Sequence, residues 1–493
     1  MKLILRCSQI LGNPTRRLFS RNTTVLAPFS LLLLGGCAVG PDYKKPPTPA
    51  PIVYSDPGPW KEAAPKDALS KGPWWEIFND PALSGLEKDA VSASPTIQAS
   101  LARLEQARAI ARISSADFYP SLSLDPSASR ARYSGNRPIQ TTATRVPYTA
   151  NTFLLPLDLN YEIDLFGRVR RSNESIRALA QAGEAAYQNL LLSLEANIAQ
   201  TYFVFRSLGD EYALVNRSIE TRRQALDLVL KRYRGGASGE LDVRRAETEL
   251  ANAEADAIAL EGRRRQLSHS LAVLCGQMPS SFSLPDAPLT ASVPLLPVGL
   301  PSELLERRPD VAQAERALAS ANALIGVAKA AFFPSIHLIG SAGYNSDQLD
   351  SLFHWDSRQW SLGPFVSLPI FQGGRNKANY ERAKAAYDEA ISNYRQSVLI
   401  AFQDVEDGLS GLRLLENETQ ALKRAAVAAR QAADLSTIRY KSGLVSYLEV
   451  VDSERTALQA ERALTQVQGQ RLTTSVFMIK ALGGGWTNLI PAS

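Results

Sequence analysis

The stretch Arg232–Val243 is Arg-Tyr-Arg-Gly-Gly-Ala-Ser-Gly-Glu-Leu-Asp-Val, and it decides the fold because the chain repeats it. It returns 207 positions later as Arg439–Val450, Arg-Tyr-Lys-Ser-Gly-Leu-Val-Ser-Tyr-Leu-Glu-Val. Each copy lies between two long helical patterns and contains glycine, which supplies the backbone freedom that a reversal between helices needs. Each copy therefore predicts the tip of a helical hairpin. An ordinary helix–loop–helix would explain one copy, but the shared spacing favours a duplicated unit.

The repeat extends outward from the two tips. Asp117–Leu122 matches Ala331–Ile336, and Leu165–Arg168 loosely matches Ile370–Arg375. Each half is predicted to run helix, strand, strand, long helix, tip, helix. The predicted boundaries are 79–276 for the first structural repeat, 277–300 for an equatorial linker, 301–483 for the second repeat and 484–493 for a C-terminal tail.

The N-terminus resembles an export signal. Residues 1–36 carry five basic residues and no acid, and they end in the apolar run Val25–Gly36. That run is shorter than the roughly 20 residues that span a bilayer, so residues 1–36 are predicted to be a signal peptide. Leu34-Gly35-Gly36-Cys37 resembles the bacterial lipobox, which predicts diacylglycerol and palmitate on Cys37. An uncleaved apolar anchor is the alternative.

Charge and composition limit the partners of the mature chain. Without the signal, 49 Lys and Arg balance 49 Asp and Glu, so the basic excess gives no support to nucleic-acid binding. Residues 37–78 are rich in proline and predict an extended, lipid-anchored segment. The cysteine that remains beyond Cys37, Cys275, has no intrachain partner and is predicted to be a small buried residue.

Two pairs of strands are predicted, and Phe153–Ile163 is the clearest of them. Its alternate residues are apolar and are predicted to face lipid, whereas the residues between them become polar. The lipid-facing set is Phe153, Leu155, Leu157, Leu159, Tyr161 and Ile163. Its partner strand lies near Tyr119–Tyr133, and the second pair is Ile336–Tyr344 with Trp360–Ile370. A soluble sandwich is the alternative, but the strands approach the roughly 9–11 residues that cross an outer membrane. If the strands span the membrane, several chains must pool them, because a membrane barrel needs about 8 strands or more.

A very long helix follows each strand pair. Over Arg171–Arg234 and Asn376–Lys441 the apolar residues recur mostly at spacings of 3 and 4, which predicts coiled-coil packing. Returning helices are predicted at Leu241–Leu274 and Leu448–Leu482. The second seam is richer in alanine, which allows a closer approach of neighbouring helices.

No catalytic constellation is visible in the sequence. The three histidines have no metal-ligand spacing, and there is no phosphate loop, catalytic triad or Cys-X-X-Cys motif. The protein is therefore predicted to be no enzyme, with no metal and no cofactor beyond the covalent lipid.

These motifs together resemble the outer membrane factors of tripartite efflux systems, and within them the NodT-type lipoproteins related to OprM and TolC. The resemblance rests on Cys37–Tyr43, Trp74–Phe78, the two Pro-Ser strand starts and the two tips. It implies a mainly α fold with a β-barrel. Three chains would form a 12-stranded outer-membrane barrel, four strands from each, continuous with a 12-helix periplasmic α-barrel. It also implies a homotrimer in the outer membrane of a Gram-negative bacterium, in contact with membrane lipid, a periplasmic adaptor and an inner-membrane efflux transporter. The implied function is passive export of drugs or other small molecules.

The resemblance also assigns roles to the tips. Ten residues are predicted to contact the adaptor, namely Arg232, Tyr233, Gly236, Leu241, Asp242, Arg439, Tyr440, Gly443, Leu448 and Glu449. Some relatives place an aspartate ring after the second-tip glycine, whereas this chain has Leu444, Val445 and Ser446. The residues predicted to narrow the closed periplasmic end are Leu444, Val445, Glu449 and Asp452. The alternative function is a structural coiled-coil envelope lipoprotein without a pore.

Overall fold

The computed structural model describes residues 38–47, 72–136, 146–294 and 307–484. The predicted signal, Cys37 and most of the proline-rich segment lie outside these residues, as do most of the C-terminal tail and the predicted start of the second repeat at residue 301. The chain divides into two compact units, a strand unit formed by residues 38–40, 117–136, 146–171 and 326–377 and a helical unit formed by the rest. Across the described residues, none of the helices combines the length and hydrophobicity needed to cross a bilayer.

The helical unit begins with a short 3₁₀ helix, Trp74–Phe78, followed by α1, Pro81–Ala93. The Asp80 carboxylate caps α1 by accepting hydrogen bonds from the backbone N–H groups of Ala82 and Leu83 at 2.9 and 3.1 Å. Helix α1 ends before Pro95, because the residue that precedes a proline disfavours the helical conformation, and α2 then spans Pro95–Ala116.

The aromatic residues of the 3₁₀ helix anchor this segment to the helices. Trp74, Trp75 and Phe78 are buried, and the Phe78 and Phe203 rings lie 4.9 Å apart. The Trp74 indole N–H donates to Glu195 at 2.8 Å. The 3₁₀ helix is therefore part of the main hydrophobic core.

Two helical hairpins of equal dimensions follow the two halves of the sheet. In the first, α3 spans Arg168–Arg234 and α4 spans Glu240–Leu274. Helix α5, Pro309–Ala330, opens the second half. The second hairpin consists of α6, Arg375–Lys441, and α7, Tyr447–Ala481. The four hairpin helices begin and end within three residues of their predicted bounds. The two hairpins correspond at a constant separation of 207 positions.

The predicted coiled-coil seam packs inside the helical unit. On α3 its buried members include Leu194, Ile198, Phe205, Val215, Ile219 and Val229. On α6 they include Tyr394, Val398, Ala401, Val405 and Ala426. Cys275 is fully buried, as predicted, and burial raises the pKa of its thiol to about 12.

The strand unit contains one antiparallel sheet. Its strands are β1, Ser121–Leu124; β2, Ser127–Tyr133; β3, Tyr148–Glu162; β4, Ser335–Ser346; and β5, Arg358–Ser367. Strands β1 and β2 both pair with β3, β3 pairs with β4, and β4 pairs with β5. The two strand pairs that the sequence predicted separately therefore join through β3 and β4.

Three strand predictions need correction. The strand predicted near Tyr119–Tyr133 is two strands, separated at Asp125 and Pro126, because proline has no N–H for the ladder. Strand β5 ends at Ser367, whereas the predicted strand ended at Ile370. Pro369 lies in the segment that follows β5. Strand β3 ends at Glu162, although the next residue, Ile163, still donates its N–H to Ile336 at 2.8 Å.

The residues after Cys37 are held by specific contacts. Within the strand unit, Val39 donates its N–H to the Phe166 carbonyl at 3.0 Å. Within the helical unit, the Tyr43 hydroxyl donates to Glu315 at 2.7 Å, and the Asn322 amide donates to the Pro41 carbonyl at 3.0 Å. Burial and the acceptor Glu315 both raise the pKa of the Tyr43 hydroxyl, so this tyrosine stays protonated.

Candidate functional site

Near the middle of the sheet, the register places an apolar row of residues next to a polar row. Directly paired residues on neighbouring strands point to the same face. One such row is Leu124, Leu157, Ala342 and Trp360, from β1 through β5. The adjacent row is Ser123, Asp158, Ser341 and Ser361. The alternation seen in one strand of the sequence therefore continues across the sheet.

Five of the six predicted lipid-facing residues, Phe153, Leu155, Leu157, Leu159 and Tyr161, share the apolar face because they alternate along β3, whereas Ile163 lies one residue beyond its end. Their neighbours across the sheet include Leu122 and Leu362, which flank Leu159 and Gly340 in a second apolar row. In that row Gly340 admits the side chain of Leu362, since a Cβ at Gly340 would lie 3.0 Å from its methyl group. Trp360 and Leu362 are exposed. Such a face is suited to an apolar medium.

The two hairpin tips have the same backbone geometry. In the first, Gly236 has φ +73° and the Ala237 N–H donates to the Arg232 carbonyl at 2.8 Å. In the second, Gly443 has φ +76° and the Leu444 N–H donates to the Arg439 carbonyl at 3.0 Å. These are glycine-terminated helix ends with a six-to-one hydrogen bond. A positive φ favours glycine at both positions.

Arg232 joins the first tip to the second. Its guanidinium donates to the Tyr440 carbonyl at 2.7 Å and lies 4.6 Å from the centre of the Tyr440 ring. The ring is only 6% exposed, whereas Tyr233, the corresponding residue of the first tip, is 43% exposed. The Arg-Tyr motif thus has two different environments in the two copies.

A small hydrophobic cluster supports both tips. Its buried members are Val229, Val243, Ala246, Tyr440, Tyr447 and Val450. The Tyr440 and Tyr447 ring centres are 5.5 Å apart, and burial raises the pKa of Tyr447 to about 12. Tyr447 was missed by the sequence reasoning, because its equivalent in the first copy is the exposed Glu240 and the motif therefore gave no signal.

The remaining tip residues extend outward or pair locally. Leu241, Leu444 and Leu448 are exposed in the single chain, whereas Val445 packs against the cluster. The predicted acidic residues each have a basic partner: Asp242 with Arg245 at 3.7 Å, Glu449 with Arg439 at 3.1 Å and Asp452 with Arg455 at 2.8 Å. The structure therefore brings Arg232 and Tyr440 together and leaves the three leucines available to a partner.

A buried ion pair farther from the tips also links the hairpins. The Glu211 carboxylate, almost completely buried, accepts from Arg462 at 2.8 Å and from Gln466 at 3.2 Å. This contact could not be predicted from the sequence, because its partners lie about 250 positions apart and each would be ordinary on a solvated helix face. Within the described ranges, no group of His, Cys, Asp and Glu side chains could hold a metal ion.

Comparison with known proteins identifies the family. Residues 86–277 and 300–484 match the family model described as outer membrane efflux protein. The outer membrane protein OprJ of Pseudomonas aeruginosa is 33% identical over 458 residues, 92% of this chain and 94% of OprJ. The solvent efflux pump outer membrane protein SrpC of Pseudomonas putida is 33% identical over 469 residues, 94% of this chain and 98% of SrpC.

A solved structure agrees with these sequence matches. The outer-membrane channel OprN has a TM-score of 0.84 and 32% identity, covering 91% of this chain and 100% of that chain. The fold is thus that of an outer-membrane channel. The chain belongs to the outer membrane efflux protein family and acts as an efflux duct in the Gram-negative outer membrane. This confirms the resemblance inferred from the motifs and disfavours the envelope scaffold without a pore.

Proposed function

We propose that three copies of this chain form a passive duct, without catalysis of its own, that conducts drugs or other small molecules out of the cell. The molecules would be delivered by an inner-membrane transporter through a periplasmic adaptor. The observation that carries the proposal is the continuous polar row across β1, β3, β4 and β5, backed by an apolar row. Such a sheet is suited to separating an aqueous interior from lipid.

The edges of the sheet support the pooling of strands from several chains. Strands β1 and β2 form one edge and β5 forms the other. Four strand positions are too few for a closed membrane barrel, for which about 8 are needed. If the β5 edge of each chain pairs with the β1–β2 edge of the next, three chains supply 12 positions and no edge remains open.

The hairpins would extend the duct into the periplasm. A helix of 67 residues at about 1.5 Å per residue is roughly 100 Å long. Three chains supply the 12 helices of an α-barrel, since the two hairpins of each chain provide the four helices α3, α4, α6 and α7. The tips would contact the adaptor through their exposed leucines, which are available for apolar contacts.

The same tips would close the duct at rest. Arg232 holds the second tip by its hydrogen bond to the Tyr440 carbonyl and by the contact with its ring. Outward movement of α6 and α7 would break that link. The exposed Leu444, with Val445, Glu449 and Asp452 beside it, would line the narrowest ring.

Single-channel conductance in planar bilayers tests this function. The wild-type protein is expected to conduct, and Arg232→Ala is expected to raise the open conductance or open fraction several-fold because the link between the tips is lost. Arg223→Ala is the matched control, since Arg223 lies on the same helix but pairs with the exposed Glu220 and Glu254. Failure of the pure, folded protein to conduct would refute the duct, and equal conductance of all three proteins would refute the role of the tip link.

A further inference from the structure

The β2–β3 hairpin carries positive charge and no negative charge. Residues 126–157 contain four arginines and no acidic residue. Two of these arginines, Arg130 and Arg132, lie on β2 within the described residues. The β4–β5 connection differs, since it carries three aspartates and the Arg358 guanidinium beside it donates to the Trp355 carbonyl at 3.0 Å. The basic character therefore belongs to the β2–β3 hairpin.

Both arginines lie on the apolar face of the sheet. Arg130 is paired with Asn151 and Arg132 with Thr149. Asn151 and Thr149 precede Phe153 on β3 by two and four residues, so they lie on the same face as Phe153, and their paired arginines share it. Both arginines are exposed. The face that carries leucines in the middle of the sheet thus carries cations towards one end.

That end of the sheet is a ribbon of two strands. The pairing of β3 with β4 stops at Phe153 and Ser346, whereas the pairing of β2 with β3 continues. We call this part, Ser129–Tyr133 with Tyr148–Thr152, the outer ribbon. The chain enters α3 from the opposite end of β3. In the proposed duct, where the helices extend into the periplasm, the outer ribbon is therefore on the side of the outer leaflet.

The spacing along β3 gives the depth of the two arginines in the membrane. Asn151, paired with Arg130, precedes Leu157 by six residues. At about 3.4 Å per residue and a strand tilt of about 40°, this corresponds to roughly 15 Å along the bilayer normal. Half of the hydrocarbon core is also about 15 Å thick. If Leu157 lies at the midplane, Arg130 is at the outer boundary of the hydrocarbon and Arg132 is about 5 Å above it, at the level of the lipid headgroups.

We propose that Arg130 and Arg132 bind phosphate groups of lipopolysaccharide in the outer leaflet. The guanidinium fork matches the geometry of a phosphate, and the residues opposite both arginines are uncharged. Phe153 and Leu155, below the arginines on the same face, would contact the acyl chains of the same lipid. The inference rests on the proposed duct, which places this face in lipid, and adds a lipid-binding site to it.

Protection of the arginines in the unmodified protein tests this site. The full-length protein, purified in a non-ionic detergent without phosphate, is treated with phenylglyoxal at increasing concentrations of lipopolysaccharide, and each modified arginine is quantified by mass spectrometry. Arg130 and Arg132 are expected to lose most of their reactivity. Arg263, exposed on α4, should keep its reactivity. Dephosphorylated lipopolysaccharide and inorganic phosphate alone should protect neither Arg130 nor Arg132.

Two variants test the charge and the face separately. Arg130→Gln with Arg132→Gln is expected to weaken the binding of fluorescently labelled lipopolysaccharide about 25-fold, since each cationic side chain near an anionic lipid surface contributes about fivefold. The matched control adds Ser129→Arg and Ala131→Arg to the same protein. It restores both charges on the opposite face of β2, and it is expected to bind as weakly as the double variant.

The outcomes separate this inference from the proposed function. Unchanged reactivity of Arg130 and Arg132 in the presence of lipopolysaccharide would overturn the site, and this measurement does not depend on the folding of a variant. Wild-type affinity in the control would also overturn it, because net charge alone would then suffice. Conductance of the unmodified protein tests the duct independently. A conducting protein with unprotected arginines would overturn the lipid site alone, whereas a protein that neither conducts nor shows protection would overturn both.

Discussion

Glu87 offers a sharp test of the helical core. This glutamate on α1 is fully buried, and neither of its carboxyl oxygens has a hydrogen-bond partner among the described residues. Burial, reinforced by the nearby Glu195 carboxylate, raises the Glu87 pKa to about 10. The side chain is therefore a neutral carboxylic acid at physiological pH. Glu87→Gln keeps its size and polarity but removes the titration.

The pH dependence follows from proton binding. Below the ordinary glutamate pKa of 4.5, the carboxyl is protonated in both the folded and unfolded states, so its ionisation has no effect on stability. Above 4.5 the unfolded chain releases the proton and the folded chain keeps it, so stability falls as pH rises until the folded pKa is reached. At about 1.4 kcal/mol per pH unit, the folded state is disfavoured by on the order of 3 kcal/mol per chain at pH 7.

Unfolding of the purified protein in detergent, followed by circular dichroism between pH 4 and pH 9, measures this effect. The stability of Glu87→Gln relative to wild type is expected to rise steadily with pH from about pH 4.5. Asp89→Asn, on the exposed side of the same helix, is the matched control. A constant difference for Glu87→Gln would mean that Glu87 is ionised in the folded protein, and the reasoning would be wrong.

Three further changes test the sheet, the lipid anchor and the N-terminal segment. Leu157→Arg should reduce trimer yield on unheated gels far more than Asp158→Arg, because a lipid-facing arginine at the bilayer midplane costs about 2–4 kcal/mol in each chain; equal yields would count against the assignment of the two faces. Cys37→Ser should abolish palmitate labelling and lipoprotein processing, and a mutant that is still labelled would exclude this site. Tyr43→Phe should lower stability by about 1.5–3 kcal/mol, since it removes a hydrogen bond to the Glu315 carboxylate, and an unchanged unfolding midpoint would show that the contact contributes nothing.

Local periodicity and turn chemistry predicted most of the secondary structure. The hairpin helices end where Gly236 and Gly443 adopt positive φ, and α1 ends before Pro95, because these residues act on their own backbone. The strand errors have the same origin. Alternation alone did not show the interruption at Pro126, since Leu122 and Leu124 before it and Ala128 after it keep the apolar residues at every second position.

The family and the two-faced character of the strands could also be predicted from the sequence, because short motifs and alternating polarity are properties of adjacent residues. The roles of individual tip residues could be predicted from the sequence only in part. Arg232 and Tyr440 were both singled out, but their mutual contact joins residues 208 positions apart. The predicted adaptor and gate roles of the exposed leucines stay predictions.

The sequence by itself therefore determined the duplication, the lengths of the helices and the alternation of the strands, since each depends on spacing along the chain. The tertiary structure decided that the two strand pairs form one sheet, that Glu87 is buried without a hydrogen-bond partner among the described residues, and that the Ser207 side chain lies against Gly469. Those outcomes depend on which distant side chains approach in space. Two copies of one motif can consequently lie in different environments, as the buried Tyr440 and the exposed Tyr233 demonstrate.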